Sequence, residues 1–424
     1  MKPLIAVIAD DLTGVCDTGA QLASAGLQTM GSVDQEFKSE NIPQVLLVNT
    51  QSRSLEDREG SLIIQQAVAG LRRYEPKWFF KKIDTALRGH IAIEVSSMME
   101  ALRINSALYV AAIPGAGRTT FNGRQFFRGV PIKQSIHGED RLNPHSIPTS
   151  SNVEIFSGIS GLETEVVSVE EVRSGNLDIA GRMKSPFKKV IIFDSETDED
   201  IDQIVKASMK AEPSSFLYVG SLGLAGAIGR FLAKSLIIPE RQEASFHEEH
   251  SPSSKKRVLV VSGSSHPMAR SQISFVEDKR VAEVIRIQPE DLLKRLDHCI
   301  LQVTETWEIC LRRQKMAVIT IGEGKSDAMK QGQDLVVALA KAISPIIHLN
   351  QLDGLVLIGG DTSYATCREV GIEKFEILGN ISFVAAYGKP SGAGTNIKAL
   401  VTKGGSLGEV DTLEKILDFI DGKA

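Results

Sequence analysis

The sequence predicts an α/β protein of two domains, with largely parallel sheets that face each other across a cleft. Three observations predict this fold. Short β-branched apolar runs alternate with longer helical patterns, most of these runs are continuous rather than alternating, and the rhythm stops at one polar stretch before it restarts. Alternating strands and helices are typical of α/β folds, and continuous apolar runs are typical of parallel strands covered on both faces.

The first half of the chain contains six apolar runs separated by helical patterns. The predicted strands are Ile5–Ala9, Val45–Asn49, Trp78–Lys82, Ala107–Ala112, Val190–Asp194 and Phe216–Gly220. The predicted helices are Glu56–Tyr74, Ile91–Leu102, Asp198–Lys210 and Leu222–Leu236. Residues 115–164 carry many Gly, Pro, Ser and Asn residues and fit neither pattern, which predicts an irregular segment.

A polar stretch separates the two predicted domains. Residues 239–256 contain one large apolar residue, Phe246, and their composition is typical of a linker. We therefore expect an N-terminal domain over residues 1–238 and a C-terminal domain over residues 257–424. The second domain has predicted strands and a closing helix at Val258–Val261, Glu283–Ile287, Met316–Ile321, Leu355–Ile358, Ile381–Ala385 and, for the helix, Thr412–Ile420.

Composition and charge exclude several classes of protein. Hydrophobic residues make up 42% of the 424 residues, and 48 Lys and Arg against 53 Asp and Glu give a net charge of −5. These proportions are typical of globular proteins, and the chain lacks the basic excess that is typical of nucleic-acid binders. Four scattered cysteines without a CxxC pair argue against a disulfide scaffold or a cysteine zinc site. No apolar run approaches the roughly 18 residues of a membrane span, so we expect a cytoplasmic protein without a membrane partner.

Two adjacent carboxylates, Asp10 and Asp11, come directly after the first predicted strand. Open α/β sheets bind ligands at the carboxyl ends of their strands. A helix cap would also place an aspartate here, but a cap needs only one carboxylate. The pair therefore indicates a ligand site.

The turn after the strand at 78–82 carries both signs of charge, in Lys82, Asp84 and Arg88. Arginine suits bidentate recognition of a carboxylate, and aspartate suits hydroxyl groups as an acceptor or a base. The alternative is an exposed charge pair of little energetic weight. Arg53 follows the strand at 45–49, which we expect beside the first strand. Together these residues predict a pocket for an anionic polyol.

Three turns of small residues in the second domain predict phosphate binding. They are SGSSHP at 262–267, GGDTS at 359–363 and KGGSLG at 403–408. Exposed backbone N–H groups at a helix N-terminus attract anions, and three such turns in one domain favour a nucleotide. The sequence Gly324-Lys325-Ser326 imitates the end of a P-loop, but the glycine that the motif requires at position 319 is Ile319.

A pocket for an acidic polyol in one domain and phosphate-binding turns in the other describe a small-molecule kinase. A lyase or oxidoreductase of a similar acid and a non-catalytic sensor stay open as alternatives. The motifs resemble those of the four-carbon acid sugar kinase family, in the same order over nearly the whole chain: ADDLTG at 9–14, KKIDTALRG at 81–89, GRTTFNG at 117–123 and the three turns of the second domain. The resemblance implies ATP-dependent phosphorylation of the terminal hydroxyl of an acid such as threonate or 3-oxo-tetronate.

The resemblance also implies which residues bind. Substrate contacts are implied at Asp11, Arg53, Lys82, Ile83, Asp84 and Thr85. ATP contacts are implied at Ser262, Gly359, Gly360, Asp361, Thr362 and Gly405. The charge pattern adds Asp10 and Arg88 to the substrate site.

For the mechanism we expect Arg53, Lys82 and Arg88 to hold the substrate carboxylate. We expect Asp11 or Asp84 to orient the 4-hydroxyl and accept its proton, with Mg²⁺ on the phosphates. The second motif departs from the family, which more often has Ser-Thr at Thr85-Ala86. The acid therefore stays open between D-threonate, which we favour, L-threonate and 3-oxo-tetronate. The metal ligands and the oligomeric state, for which a homo-oligomer is one alternative, also stay open.

Overall fold

A computed structural model describes residues 2–39, 41–138, 147–236, 256–313, 316–324, 331–392 and 396–423. The chain divides into two compact units, Met1–Arg241 and Gln242–Ala424. Each unit contains a largely parallel sheet and helices, so the predicted α/β class is confirmed. The predicted linker at 239–256 lies outside the described residues except for its last residue.

In the described part of the N-terminal unit, strands and helices alternate. The strands are β1 (Ile5–Ala9), β2 (Thr29–Ser32), β3 (Val45–Asn49), β4 (Trp78–Lys82), β5 (Ser106–Val110), β6 (Arg118–Phe121), β7 (Arg124–Phe127), β8 (Val130–Pro131), β9 (Leu162–Val167), β10 (Lys188–Phe193) and β11 (Phe216–Gly220). The helices are α1 (Leu12–Ser24), α2 (Asp57–Arg72), α3 (Ile91–Leu102), α4 (Asn152–Phe156), α5 (Val169–Arg173), α6 (Ile179–Arg182), α7 (Asp198–Ser208) and α8 (Leu222–Leu236).

The main sheet of this unit runs in the order β2-β3-β1-β4-β11-β5-β10-β9, and all of its pairs are parallel. Every residue of β1, β3, β5 and β11 is buried, which is why these strands read as continuous apolar runs. Strands β1, β3, β4 and β11 and helices α3 and α8 have the predicted bounds. The glycines of α8 permit close helix packing, since a Cβ at Gly229 would lie 2.9 Å from Ala25 Cβ on the loop after α1.

The prediction of an irregular segment over 115–164 is wrong for much of its length. Strands β6, β7 and β8 form a separate antiparallel sheet, which we call the 118–131 hairpin sheet. Its first turn is Asn122-Gly123, where φ is 49° and 66°. Asn-Gly is favoured in two-residue hairpin turns because both residues adopt positive φ there.

The described part of the C-terminal unit begins with parallel strands and ends with an antiparallel edge. Its strands are β12 (Val258–Ser262), β13 (Ala282–Ile287), β14 (Met316–Ile321), β15 (Gly354–Ile358), β16 (Ile372–Ile381), β17 (Ala385–Gly392) and β18 (Leu400–Lys403). Its helices are α9 (Pro267–Asp278), α10 (Pro289–Lys294), α11 (Leu296–Arg312), α12 (Gly332–Leu349), α13 (Gly360–Glu369) and α14 (Thr412–Asp421). The strand order is β13-β14-β12-β15-β18-β17-β16.

The predicted strand at Ile381–Ala385 is wrong. Ser382 and Phe383 have φ of 51° and 65° and form the turn between the antiparallel strands β16 and β17. The apolar run of this segment resembles a buried strand. Strand β17 was not predicted, because Gly388 and Pro390 have low strand propensity. Gly388 lies where a Cβ would overlap the Glu376 carbonyl of the neighbouring strand, so only glycine permits this close pairing.

Among the described helices, α12 has the length and apolar composition of a membrane span, with a mean hydropathy of 1.2. Half of it is buried inside the unit, and buried core helices also meet these two conditions. The finding is therefore weak support for a membrane segment.

Candidate functional site

The register of three neighbouring strands brings the predicted acid-binding residues to one edge of the N-terminal sheet. The last residue of β1, Ala9, pairs with Asn49 at the end of β3 and with Lys82 at the end of β4. The residues that follow these strands therefore leave the sheet side by side. They include Asp10 and Asp11, the loop 50–53 and the turn 83–88, which we call the acid edge.

Arg53 holds both aspartates of the first motif. Its Nε and Nη2 donate to Asp10 Oδ2 and Oδ1 at 2.7 and 3.0 Å, and its Nη1 lies 2.7 Å from Asp11 Oδ2. Asp11 Oδ1 also accepts the Gly14 N–H at 2.7 Å and so caps helix α1. Asp11 is thus both a helix cap and a member of the charged cluster.

The charges at this edge stabilise one another. Burial opposes ionisation of Asp10, but the positive charges of Arg53 and Lys81 outweigh it and keep the pKa of this carboxyl below its usual value. Burial likewise disfavours the charged form of Arg53, yet Asp10 and Asp11 hold the pKa of its guanidinium well above its ordinary value. Both partners are therefore ionised at neutral pH.

A second ion pair lies in the turn after β4. Arg88 Nε donates to Asp84 Oδ2 at 2.5 Å, and Arg88 Nη2 donates to Asp84 Oδ1 at 3.2 Å. Burial would raise the pKa of Asp84, but Arg88, Arg53 and Arg118 reverse this effect and hold the pKa well below its usual range. Asp84 is consequently an anion throughout the neutral range and a weak base.

Lys82 is buried at the same edge, and its Nζ donates to the Ile83 carbonyl at 2.9 Å. Within the described ranges no carboxylate lies within 4.0 Å of this ammonium. Ile83 itself packs in the core, and its N–H donates to the Gly220 carbonyl at 3.0 Å. The Thr85 hydroxyl accepts a hydrogen bond from Arg118 Nη1.

A buried polar network supports the acid edge, and sequence reasoning missed it. Lys81 Nζ lies 2.9 Å from Glu94 Oε2, and the Ser52 hydroxyl donates to the other oxygen of Glu94. Ser52 is 2.8 Å from the Thr50 hydroxyl, which donates to the Ala9 carbonyl at 2.9 Å. The network thus joins the ends of β1, β3 and β4 to helix α3. The available signals were the lysine pair that ends β4 and a lone glutamate in the apolar stretch that begins α3.

The C-terminal unit repeats this arrangement with different residues. Ile358 at the end of β15 pairs with Ser262 at the end of β12 and with Lys403 at the end of β18. The three predicted phosphate-binding turns, 262–266, 359–362 and 403–408, therefore leave the sheet at one edge. We call this edge the glycine edge.

The three turns pack so closely that residues larger than glycine would not fit at several positions. The Gly263 N–H donates to Thr362 Oγ1 at 3.1 Å, so the first two turns are bonded to each other. A Cβ at Gly405 would lie 2.9 Å from Ser264 Cβ and would overlap the Ser264 hydroxyl. Gly359 has φ of 106°, a conformation that disfavours other residues. The glycines thus allow the three turns to lie in close contact with one another.

Two further polar groups belong to the glycine edge. Ser262 Oγ is buried without a hydrogen-bond partner within the described residues. Lys403 is fully buried, and its Nζ donates to the Gly404 and Leu407 carbonyls at 2.7 and 2.8 Å, which fixes the third turn. Asp361 is exposed on the first turn of α13. No cluster of three His, Cys, Asp or Glu side chains suited to a metal occurs in the described segments.

Comparison with known proteins tests the resemblance seen in the motifs. Residues 5–228 match the family model of a sugar-binding N-terminal domain, and residues 259–413 match that of a nucleotide-binding C-terminal domain. The chain belongs to the four-carbon acid sugar kinase family. The family named from the motifs is therefore confirmed.

Individual members of the four-carbon acid sugar kinase family match the chain from end to end. It is 28% identical to a D-threonate kinase of Salmonella typhimurium, over 98% of this chain and 98% of the relative. It is 25% identical to a D-erythronate kinase of Heliobacterium modesticaldum, over 98% of this chain and 97% of the relative. A crystal structure from Salmonella typhimurium LT2 has a TM-score of 0.75 at 18% identity, over 97% of this chain and 98% of that one, and shares the fold.

Proposed function

We propose that the protein is a cytoplasmic, ATP-dependent kinase that phosphorylates the terminal 4-hydroxyl of a four-carbon sugar acid, with D-threonate as its substrate. The observation that carries the proposal is the acid edge, where buried aspartates and basic side chains meet at the carboxyl ends of three parallel strands. A small molecule with both hydroxyl groups and a carboxylate matches this mixture of charges. The relative named a D-threonate kinase supports the choice of acid.

The residues of the acid edge divide into two groups by what they already contact. Arg53 and Arg88 are bonded to aspartates and fix the positions of those carboxylates. Lys82 has no such carboxylate in the described part of the chain and can offer its ammonium to the substrate. Asp11 and Asp84 then accept hydrogen bonds from the hydroxyl groups of the sugar acid.

The glycine edge suits the phosphates of ATP. The crowded glycines and the unsatisfied Ser262 hydroxyl form a cradle of backbone and hydroxyl donors, as phosphate groups require. Mg²⁺ in kinases is bound mainly by phosphate oxygens and one or two carboxylates, and Asp361 is the carboxylate on this edge. Asp361 would hold the ion together with the phosphate oxygens, and the ion would neutralise charge on the transferred group.

In the reaction the 4-oxygen of the acid forms a bond to the γ-phosphorus, the bond from that phosphorus to the β,γ-bridging oxygen breaks, and ADP leaves. The hydroxyl proton passes to a carboxylate and then to water. Asp84 is a weak base because its pKa is depressed. Phosphoryl transfer passes through a loose transition state that needs little help from a base. The aspartates therefore act mainly by orienting the hydroxyl.

A coupled assay of ADP release over the stereoisomeric tetronates tests the proposal. We expect D-threonate to give the highest kcat/KM among D- and L-threonate, D- and L-erythronate and 3-oxo-tetronate, and phosphorus NMR to place the phosphate on C4. A best rate with L-threonate or 3-oxo-tetronate would correct the substrate and keep the reaction. Acid-independent ADP release alone, or turnover that requires a nicotinamide cofactor, would contradict the kinase.

Substitution of the aspartates tests the residue assignment. We expect Asp11→Ala and Asp84→Ala each to lower kcat/KM for the acid by roughly 10²–10³-fold, because each removes a charged group that positions the nucleophile. Asp202→Ala is the matched control, since Asp202 is half-exposed on α7 and pairs with Arg230. Near-wild-type turnover in both variants would show that the assignment is wrong.

A further inference from the structure

One more cation, Arg118 of the GRTTFNG motif, lies at the acid edge; the motif's glycines and this arginine predict anion binding, but the family resemblance implies no substrate contact there. Arg118 is the first residue of the 118–131 hairpin sheet, and its main chain is fixed by reciprocal hydrogen bonds with Ile113, of 2.8 and 3.0 Å. Ile113 lies three residues after the end of β5. The hairpin therefore brings a guanidinium to the same edge of the sheet from a separate element.

Arg118 differs from Arg53 and Arg88 in what it contacts. Those two arginines are each bonded to aspartates, whereas no carboxylate lies within 4.0 Å of the Arg118 guanidinium in the described ranges. Its hydrogen-bonding partners are side chains other than carboxylates: Nη1 donates to the Thr85 hydroxyl, and Nη2 lies 3.4 Å from His137 Nε2, while Asp84 and Asp17 act on it only at longer range. Arg118 is thus a buried cation without a bonded anion.

The hydrogen bonds of Arg118 are also incomplete. A guanidinium has five N–H donors, and its Nε is buried with no acceptor among the described atoms. Only 5% of the residue is exposed, so water does not compensate fully. Leaving buried, charged donors unsatisfied is unfavourable, which indicates that an acceptor group arrives from outside the chain. Burial lowers the pKa of Arg118 to about 10, against the opposing effect of Asp84, so the group is a cation at neutral pH.

Lys82 and Arg118 approach the same short turn. Lys82 Nζ contacts the Ile83 carbonyl, and Arg118 Nη1 contacts the Thr85 hydroxyl. Asp84 lies between Ile83 and Thr85 in the sequence, and its carboxylate is paired with Arg88. The turn at 83–85 therefore has two cations without carboxylate partners beside one fixed carboxylate.

We propose that Arg118, together with Lys82, binds the carboxylate of the sugar acid and is the residue that selects acids over neutral polyols. This inference rests on the proposed kinase function and deepens it. The Thr85 hydroxyl orients the guanidinium, and the remaining donors bind the carboxylate oxygens. Arg53 and Arg88, in contrast, position the aspartates that contact the hydroxyl groups.

The test compares the best acid of the tetronate screen with its primary amide, which is similar in shape and uncharged. Arg118→Gln is expected to lower kcat/KM for the acid by roughly 10–100-fold, the usual range for a lost hydrogen bond to a charged group, and to change the amide by less than about 3-fold. Arg118→Lys keeps the charge without the planar fork and should give an intermediate loss. Arg124→Gln is the matched control, because Arg124 is exposed on the same hairpin.

Calorimetric binding of the acid without ATP gives a second readout that needs no turnover. Arg118→Gln should weaken binding of the acid by the same factor and leave ATP binding unchanged. Equal losses of kcat/KM for acid and amide, which leave the ratio between the two substrates unchanged, would overturn the inference and assign Arg118 a structural role. If Arg118→Gln does not fold, the same ratio of kcat/KM for the acid to kcat/KM for the amide is measured in Arg118→Lys, and an unchanged ratio there overturns the inference. Wild-type protein that binds the acid in an Arg118-dependent way but releases no ADP would contradict the proposed kinase and not this inference.

Discussion

The two units share the geometry of their candidate sites but differ in the side chains that form them. Each places its candidate site where three neighbouring parallel strands end in register. The acid edge uses charged side chains: Arg53 and Arg88 are paired with aspartates, whereas Lys82 and Arg118 are buried without a carboxylate partner among the described residues. The glycine edge uses small residues whose backbone lies close to the ligand space. The difference follows from the proposed ligands, because a small acid has distinct ends that need specific partners, whereas phosphates bind generic N–H donors.

The comparison also shows where each edge is vulnerable. At the acid edge, removal of one charge leaves a buried partner uncompensated, which is costly in a region of low polarity. At the glycine edge, addition of one methyl group fills space that the turns need. Electrostatic changes should therefore affect the first edge and steric changes the second.

The largest effect is expected from Lys82→Met, which breaks the acid edge electrostatically. Loss of the ammonium that we propose binds the substrate carboxylate should lower kcat/KM for the acid by roughly 10²–10³-fold, the range for truncating the protein side of a buried charged contact with a ligand. The KM for ATP should stay within about 2-fold of the wild-type value, since Lys82 lies outside the glycine edge. Lys206→Met, at an exposed position of α7, is the control. Equal losses for both substrates would contradict the separation of the two edges.

The next largest effect concerns stability. Glu94→Gln removes the charge that pairs with buried Lys81 and should lower the free energy of unfolding of the N-terminal unit by about 3–5 kcal/mol. The chain has two tryptophans, Trp78 and Trp307, one in each unit. Urea unfolding followed by Trp78 fluorescence in a Trp307→Phe background therefore reports on the N-terminal unit alone.

The control for this measurement is Glu100→Gln on the same helix. Glu100 is exposed and pairs with Lys188, so its loss should change the free energy of unfolding by less than about 0.5 kcal/mol. Equal changes for Glu100→Gln and Glu94→Gln would show that burial of the Lys81–Glu94 pair has no special weight.

Gly405→Ala should break the glycine edge sterically. The added Cβ would press against Ser264, and overpacking of this kind costs about 1–3 kcal/mol, so the KM for ATP should rise roughly 10-fold or more. Binding of the acid should not change. In a Ser264→Gly background the contact is removed, and Gly405→Ala should then have a smaller effect on the KM for ATP.

A second control separates crowding from loss of a glycine. A Cβ at Gly332 meets no atom of the described structure within 4 Å, so Gly332→Ala should leave the KM for ATP unchanged. Failure of Ser264→Gly to relieve Gly405→Ala would mean that the turn, and not this contact, limits ATP binding.

The smallest effect is the pH dependence of stability. The pKa values of Asp10 and Asp84 are lower in the folded protein than in the unfolded chain, so their stabilising contribution is complete above about pH 4 and declines as the pH falls further. These two groups should therefore leave the urea midpoint of the Trp78 fluorescence transition unchanged between pH 7 and pH 5. The midpoint should be lower at pH 3.5. Asp84→Asn should reduce the loss below pH 4. A rise in stability on acidification would contradict the depressed pKa values.

The fold was predictable wherever a strand is buried on both faces. A short continuous apolar run such as Val45–Asn49, bounded by polar residues, fits a buried parallel strand better than a helix, and its predicted bounds agree with the structure. Strand β17 was missed because its partners, and not its own residues, stabilise it. Close pairing with β16 permits Gly388 and Pro390 in a segment of low strand propensity.

The candidate site was predictable as a set of positions and less so as a set of contacts. Residues after parallel strands must share one edge, and this rule brought Asp10, Arg53 and Lys82 together. Their pairing depends on side-chain direction, which spacing does not determine. We expected Arg53 and Arg88 to be open to the substrate carboxylate, whereas both are bonded to aspartates.

The 118–131 hairpin sheet contributes no strand to the main sheet of its unit, yet it carries Arg118 to the acid edge. Its buried residues are tied to the unit, since the Thr120 N–H donates to the Ser195 carbonyl at 2.9 Å and Gln125 is fully buried, whereas its exposed positions can change at little cost to folding. Substitutions at those exposed positions should therefore alter which acid is accepted with less effect on folding than substitutions at the strand ends that hold Asp11 and Asp84. A library confined to residues 117–131 is accordingly the economical starting point for altering which acid the enzyme accepts.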